Sequence, residues 1–461
     1  MRVVVVGAGP AGVRAVERLV AAGLRPIWIE EGPQPGGRIY QRPPGGFART
    51  GRDLYGFEAR RAEALHAIGD ALRDRCDWRP DTLVWNIART ENRLDTLHAG
   101  TVREAVSFDA AILCTGAMDR VIPIPGWTIP GVTTLGGAQV SLKTQGVAIG
   151  RRVAFVGTGP LLWLCAYQYA KAGAEVAAVL DTTPFATKLR AAPGLIGSAA
   201  TFLKGLYYIA RLRAAGVSVF EGATPRAIEG GDAVTALRLT DAAGGDHAIS
   251  CDAVAMGWNL KPEAQLADLA GIPFHFDAVG HNWVPARDAA GRTPRKGILL
   301  AGDGSRIGGA DVAELAGARA ALALLADHGQ PVDAAEAARL DRALAVQARF
   351  RAALEAAFPF PSALAAGMAD DTILCRCENV TAGELRAAAD EAGAFGAAPE
   401  VNRAKAYSRV GMGRCQGRVC GPAGAEVLAA ALGCSVEQVG RLRGQPPVKP
   451  IPVAPLAEVS A

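Results

Sequence analysis

The chain opens on four consecutive valines, Val3 to Val6, followed by Gly7-Ala-Gly-Pro-Ala-Gly12 and a stretch with helical spacing over about 11–22. Gly23 suits a helix C-cap, and 26–30 reads as the next strand. An amphipathic helix is expected over 55–75, and short alternating segments lead to another strand at 109–115. The opening pattern returns at 153–156, with Gly157-Thr-Gly159-Pro-Leu-Leu162, a helix, and a strand ending at Asp181. A strand at 297–300 runs into Ala301-Gly-Asp-Gly304 and a helix near 313–328. The next helix, 333–356, has a cap at Asp333 with Glu336 three residues on. Phe358-Pro-Phe-Pro361 breaks that pattern and reads as a linker. A compact cysteine-bearing region covers about 371–433, and from Gln445 the chain is Pro-rich and reads as an extended tail. These alternations predict an α/β fold with two Rossmann-like dinucleotide-binding domains and a small helical C-terminal domain.

Composition narrows the classes. At 461 residues the length prior is about three domains. Half the residues are hydrophobic and 20% charged, which excludes global disorder. The net charge is +4, with 49 basic and 45 acidic residues spread along the chain, so no nucleic-acid partner is expected. No uncharged run reaches the ~18 residues of a membrane span, so membrane contact is expected to be peripheral at most. Nine cysteines without a secretory signal point to a reducing, cytoplasmic setting.

The first glycine motif has the context that phosphate binding requires. Gly7 permits the tight turn, Gly9 the close approach of a pyrophosphate, and Gly12 the packing of helix on strand. Glu30, 23 positions after Gly7, is placed for a ribose hydroxyl pair. The plain alternative is an empty structural turn. In the second motif Leu162 replaces the third small residue, so Gly157, Gly159 and Asp181 are open to three readings. These are ordinary NAD(P)H binding, a vestigial site, or a site for a second adenine nucleotide.

Cys375-Arg-Cys377 and Cys415-Gln-Gly-Arg-Val-Cys420 frame the third constellation. Four thiolates on loops beside helix N-termini form an N–H-rich cage suited to an anionic iron–sulfur cluster. Zinc would also accept four sulfurs, although C-x-C is less usual for it, and free or disulfide cysteines are the third alternative. Thr381-Ala-Gly-Glu384 and the segment from Ser435 to Gln438 each read as a capping box. Cys76, Cys114, Cys165 and Cys251 are isolated and read as buried apolar residues. No redox dithiol precedes Cys375, which argues against a disulfide reductase.

Several segments resemble the two-dinucleotide-binding flavoprotein reductases. They are Pro35-Gly-Gly-Arg38, Ala111-Ile-Leu-Cys-Thr-Gly116 and Ile298-Leu-Leu-Ala-Gly-Asp303. The resemblance covers about 1–330 and implies FAD, with Gly37, Arg38, Thr115, Gly116, Gly302 and Asp303 added to the cofactor residues. Asp303 alone would also read as a helix cap. Cys-Arg-Cys-Glu-Asn-Val-Thr and Gly-Met-Gly-Arg-Cys-Gln-Gly-Arg-Val-Cys-Gly resemble the bacterioferritin-associated ferredoxin domain, which carries a 2Fe–2S cluster. The C-x4-C form is similar to that of the FAD-binding α subunits of opine oxidases, hydrogen cyanide synthase, and hydroxyproline or proline dehydrogenases. Gly131-Val-Thr-Thr-Leu-Gly-Gly-Ala-Gln139 and the Pro-rich end fit the same group.

That resemblance implies an electron-transfer subunit of an amine, amino-acid or opine dehydrogenase, with Cys375, Cys377, Cys415 and Cys420 as cluster ligands. A separate β subunit of D-amino-acid-oxidase-like fold would oxidise the C–N bond, and a quinone-type acceptor would take the electrons. It leaves open an FMN at a subunit interface and a small additional subunit. The rivals are a self-contained NAD(P)H-dependent reductase and a non-catalytic docking subunit. The expected domains are 1–120 with 280–330 for FAD, 121–279 for the second nucleotide-type fold, a helical linker over 331–370, the iron–sulfur domain over 371–440 and the tail over 441–461.

Overall fold

The structure, a computed structural model, describes residues 1–47, 49–195, 199–394 and 400–452. Its first layer is a five-stranded parallel sheet in the order Ile298–Leu300, Ala110–Leu113, Val3–Val6, Ile27–Ile29, Asp77–Arg79. All four residues of Val3–Val6 are buried, because helices or other layers cover both faces of a central parallel strand. Helix Pro10–Ala21 follows directly, with proline in its first turn and Gly9 as N-cap. It packs on helix Ala310–Asp327, and the crossing is close: a Cβ on Gly317 would sit 2.0 Å from the Ala11 carbonyl oxygen. The amphipathic segment over 55–75 is the helix Ala59–Leu72, with a short 3-10 turn at each end.

A second five-stranded parallel sheet has the order Ser218–Glu221, Glu175–Asp181, Arg152–Thr158, Ala253–Trp258, Val132–Thr134. Each parallel sheet is accompanied by a three-stranded antiparallel one, formed over 82–107 and 224–250 respectively. The cysteine-bearing region folds as a small hairpin, Ile373–Cys375 with Val380–Thr381, followed by helices Ala382–Ala394, Val401–Ser408, Cys420–Leu432 and Val436–Val439. The three caps expected from the sequence are present. Asp333 accepts from the Ala335 and Glu336 amides, and the Thr381/Glu384 and Ser435/Gln438 boxes are closed in both directions.

The C-terminal module is not a loosely tethered bead. Leu374, Leu385, Ala423, Val427 and Leu428 belong to the same continuous core as Val156, Leu180, Met256 and Trp258 of the second sheet. The Pro-containing segment at 358–361 breaks the preceding helix as expected, yet it is packed rather than exposed. Phe360 is buried, lies flat against His281 and carries the Arg120 guanidinium 4.3 Å above its ring centre. Arg120 is itself buried and donates to the carbonyls of Trp258, Gly280 and His281. Over 441–452 the tail has no regular structure but is bound in place: the Val448 amide donates to the Trp85 carbonyl at 3.0 Å, and Val448 is buried. Residues of the Pro-rich end beyond Pro452 lie outside the described residues. Among the described residues no helix is long and apolar enough to cross a membrane.

Candidate functional site: a dinucleotide cavity beside a four-cysteine cage

A cavity of about 790 Å³ opens at the C-terminal ends of the first sheet's strands, where open α/β sheets place their ligands. Gly7, Gly9, Glu30, Gly37, Arg38, Thr115, Gly116 and Asp303 all line it. The other two residues of that set act from behind. A Cβ on Gly12 would lie 1.8 Å from the Gly7 carbonyl oxygen, and one on Gly302 would press on the Ala11 methyl at 2.9 Å. Gly7 has a φ of +102°, and a side chain there would run into the Cys114 carbonyl. Around Gly9 there is space: the nearest atom to an added Cβ is the Gly37 Cα at 3.7 Å. The Gly36–Gly37 turn therefore lies against the Gly9 turn, and Arg38 is brought to the same cavity.

Glu30 accepts the Ala8 amide at 2.5 Å and the Gly32 amide at 3.0 Å, one on each carboxylate oxygen. Burial pushes its pKa up against those two donors. Asp303 accepts the Gly308 and Gly309 amides through one oxygen, fixing the turn before helix Ala310–Asp327 without capping it, while also facing the cavity. The cradle is thus free of Cβ atoms where a pyrophosphate would pass and carries a carboxylate where a ribose would sit, so the residues fit a dinucleotide such as FAD.

The sequence reading missed several residues in the same wall: Asp119, Gln139, Glu263, Arg418, Val448 and Lys449. Gln139 closes the Gly-rich segment already singled out, but Arg418 read only as a spacer between cysteines and Lys449 as one cation in a tail.

The four clustered cysteines come together. Cys375 ends a strand, Cys377 lies in the hairpin turn, Cys415 is in a loop and Cys420 is the first residue of its helix. Close approach depends on a glycine, since a Cβ on Gly413 would lie 2.4 Å from that of Cys377. The Cys375 sulfur receives the Cys420 thiol hydrogen bond and the amides of Gly411, Glu378 and Cys377, which bring its pKa down to about 6. Cys415 shares that thiol and receives the Val419, Gly417 and Cys377 groups, and is lowered to about 5. Cys420, the donor, is pushed well up. Amides aimed at sulfur stabilise the thiolates that an iron–sulfur cluster requires. Among the described residues no three His, Cys, Asp or Glu side chains gather as for a single metal ion. The cage is asymmetric toward solvent, with Cys375 and Cys420 buried and Cys377 exposed. Burial raises the isolated thiols Cys76 and Cys114 to about 12 and Cys251 to about 11, as expected for apolar packing residues.

Cage and cavity adjoin. Arg418, three residues after Cys415 and two before Cys420, reaches the cavity wall and pairs with Glu263 at 2.8 Å. The Gln265 side-chain amide donates to the Gln416 carbonyl at 3.1 Å, and the Glu263 carbonyl accepts the Thr115 hydroxyl at 2.5 Å.

The second glycine motif is arranged differently. Asp181 is fully buried; one oxygen accepts the Thr158 hydroxyl and the Thr183 amide, and the other lies 2.6 Å from the Lys188 ammonium. A Cβ on Gly159 would meet the Asn259 side-chain oxygen at 2.1 Å, and the Asn259 side-chain amide donates to the Phe358 carbonyl. Lys188 lies over the rings of both Trp163 and Phe358. Leu162 is buried in a core with Leu135, Phe155 and Tyr169.

Comparison with known proteins agrees with this division. Residues 1–320 match the pyridine nucleotide-disulphide oxidoreductase family, and residues 373–430 match the BFD-like 2Fe–2S binding domain. The A subunit of opine oxidase from Rhizobium meliloti is 35% identical over 99% of this chain and 87% of its own length. The HcnB subunit of hydrogen cyanide synthase from Pseudomonas protegens is 31% identical over 97% of this chain and 96% of its own. Among solved structures, an L-proline dehydrogenase from P. horikoshii shares the fold at a TM-score of 0.71, 17% identity, 98% of this chain and 78% of that one. With its flavin-type sheet and its cysteine cage in one chain, this protein is an FAD-dependent oxidoreductase that belongs to the pyridine nucleotide-disulphide oxidoreductase family, in the group of the opine oxidase A subunits that carry a C-terminal 2Fe–2S domain.

Proposed function

We propose that the chain is the electron-transfer subunit of a heteromeric amine, amino-acid or opine dehydrogenase. It would take electrons from a partner flavoprotein of D-amino-acid-oxidase-like fold and deliver them to a quinone-type acceptor. The observation that carries this reading is the contact between cage and cavity, Arg418 on Glu263 with Gln265 on Gln416. Oxidation of a C–N bond releases two electrons and a 2Fe–2S cluster moves them singly; FAD, when bound, would exchange electrons either in pairs or one at a time and so link the two.

The chain's own residues then have separable tasks. Gly7, Gly9 and Gly12 would shape the pyrophosphate turn, Glu30 would accept the ribose hydroxyls, and Gly37, Arg38, Thr115, Gly116, Gly302 and Asp303 would frame the rest of the cofactor. Cys375, Cys377, Cys415 and Cys420 would hold the cluster. We read Gly157, Gly159 and Asp181 as a packing element rather than an NAD(P)H or second adenine site, because the Asp181 carboxylate is paired with Lys188 and the Asn259 side chain lies against the Gly159 turn. That reading disfavours the self-contained reductase. A small additional subunit and an FMN between subunits are compatible with this scheme and require the complex to be isolated.

The test is amine-dependent dye reduction. The isolated chain should show none with amino acids or opines, and co-expression with an oxidase-fold partner should bring it. Dehydrogenation by this chain alone would overturn the assignment.

A further inference from the structure

The wall of the 790 Å³ cavity contains three residues from far down the chain, Arg418, Val448 and Lys449. Each is fixed by contacts that cross between the C-terminal part and the first sheet. Arg418 is buried, pairs with Glu263, and donates a second guanidinium hydrogen bond to the Val448 carbonyl. Glu263 is held to the cofactor side, its amide donating to the Gly116 carbonyl at 3.0 Å. Val448 packs among Val4, Val6, Ile29 and Leu266. Lys449 pairs with Glu31, the neighbour of Glu30. The start of this strap is anchored as well, since the Arg441 guanidinium meets both Asp268 oxygens at 2.6 Å and the Gly444 amide donates to the same carboxylate. At its far end Arg103 donates to the Pro452 carbonyl at 2.7 Å.

A dinucleotide brings two phosphate charges and an apolar adenine. The strap side of the cavity supplies two cations, each shared with a wall carboxylate (Glu263 and Glu31), and one buried aliphatic side chain, donors and apolar surface of the kind those groups use. We infer that the dinucleotide site is composite: Arg418, Val448 and Lys449 hold the cofactor together with the glycine motif, so that FAD binding and docking of the iron–sulfur module stabilise each other. This rests on the reading that the cavity holds FAD. The coupling is reciprocal: a ligand that needs both halves of its site binds only their docked arrangement and shifts the equilibrium toward it. It also gives the cage–cavity contact a second use, because a bound cofactor would strengthen the seating of the loop that carries Cys415 and Cys420.

The experiment is an FAD titration of flavin-stripped full-length protein carrying its cluster, for wild type, Lys449→Ala, Val448→Asp and Arg418→Gln. Cluster content is followed by iron analysis and visible circular dichroism. Val448→Asp and Arg418→Gln should raise the FAD Kd about tenfold or more, and Lys449→Ala severalfold. Because Arg418 lies near two cysteines, the Val448 and Lys449 variants keep the result interpretable if Arg418→Gln loses the cluster. Hydrogen exchange supplies the second readout: FAD should slow exchange of the Val448 amide in wild type, and not in Lys449→Ala to the same degree. FAD affinities within twofold of wild type in all three variants, with Val448 exchange indifferent to FAD, would overturn the composite site. Wild-type protein that takes up no FAD, or FAD uptake that survives Gly9→Val unchanged, would overturn the cavity reading instead.

Discussion

The Lys188 ammonium lies 2.6 Å from the Asp181 carboxylate, inside the protein, at the position where a nucleotide-binding fold of this type presents an acid to a ribose. The same ammonium meets Glu221 at 2.7 Å and lies over the Trp163 and Phe358 rings. On the proposed reading this contact makes Asp181 a packing element.

NADH and NADPH should therefore be poor reductants of this protein. Mixed anaerobically with either nucleotide, the flavin should reduce slowly and without saturation, as followed by its visible absorption. Leu162→Gly should not create room for a nucleotide. Leu162 is fully buried in an apolar core, and its removal should cost about 3–5 kcal/mol, read as a lowered denaturation midpoint. Asp181→Ala should also destabilise, because the Thr158 hydroxyl and Thr183 amide lose their buried acceptor and the half-buried Lys188 keeps only Glu221.

Two glycines of the first motif should separate cleanly by assay, one as a packing residue and the other as a binding residue. Gly12→Ala places a methyl 1.8 Å from the Gly7 carbonyl oxygen and should lower the melting temperature sharply. Gly9→Val faces open cavity, so it should fold with a melting temperature near that of the wild-type apoprotein and yet retain no FAD after gel filtration.

Cys420→Ser should lose the iron and the charge-transfer absorption while FAD is kept. Cys434→Ser should keep both, since Cys434 lies outside the cage in the turn after helix Cys420–Leu432. Zinc as the only metal in anaerobically prepared wild type would contradict the cluster assignment.

Glu30 should set an acid limit on cofactor affinity. Burial raises its pKa, so on acidification it takes up a proton before an exposed carboxylate would. The protonated group is a poorer acceptor for ribose hydroxyls, and the FAD Kd should rise as the pH falls through that raised value. The apo fold responds with the opposite sign. A carboxyl with a raised folded pKa contributes most to stability below its unfolded pKa and loses that contribution as the pH rises through the folded one. Weaker FAD binding at low pH should thus appear without a matching loss of apoprotein stability from this residue. Glu30→Gln should flatten the acid limb of a Kd-against-pH plot.

The parts of this molecule that were legible in the sequence are those encoded within a few residues. Val3 to Glu30 carries strand, turn, helix, strand and acid in one uninterrupted run, and the caps at Asp333, Thr381 and Ser435 are each complete within four positions. The cage was legible because cysteine pairs at short spacing have few other uses. Contacts between distant segments had no such signature. Nothing near Lys449 indicates Glu31, and Arg418 differs from an ordinary loop arginine only through its pairing with Glu263. Asp181 shows the converse: an acid at the end of a second strand has one local pattern whether it faces a ribose or a lysine, and only the packing of Lys188 and the Phe358 segment distinguishes the two.

The most direct test of the electron-transfer role is rapid mixing of the reassembled complex with its amine substrate, comparing wild type with Cys420→Ser while the partner's flavin absorption and the cluster's paramagnetic signal are followed together. The account predicts that wild type shows partner-flavin reduction followed by cluster reduction and dye turnover, and that the variant reduces the partner's flavin at the wild-type rate but turns over dye slowly. Loss of partner-flavin reduction in an intact variant complex, or full dye turnover without the cluster, would contradict it.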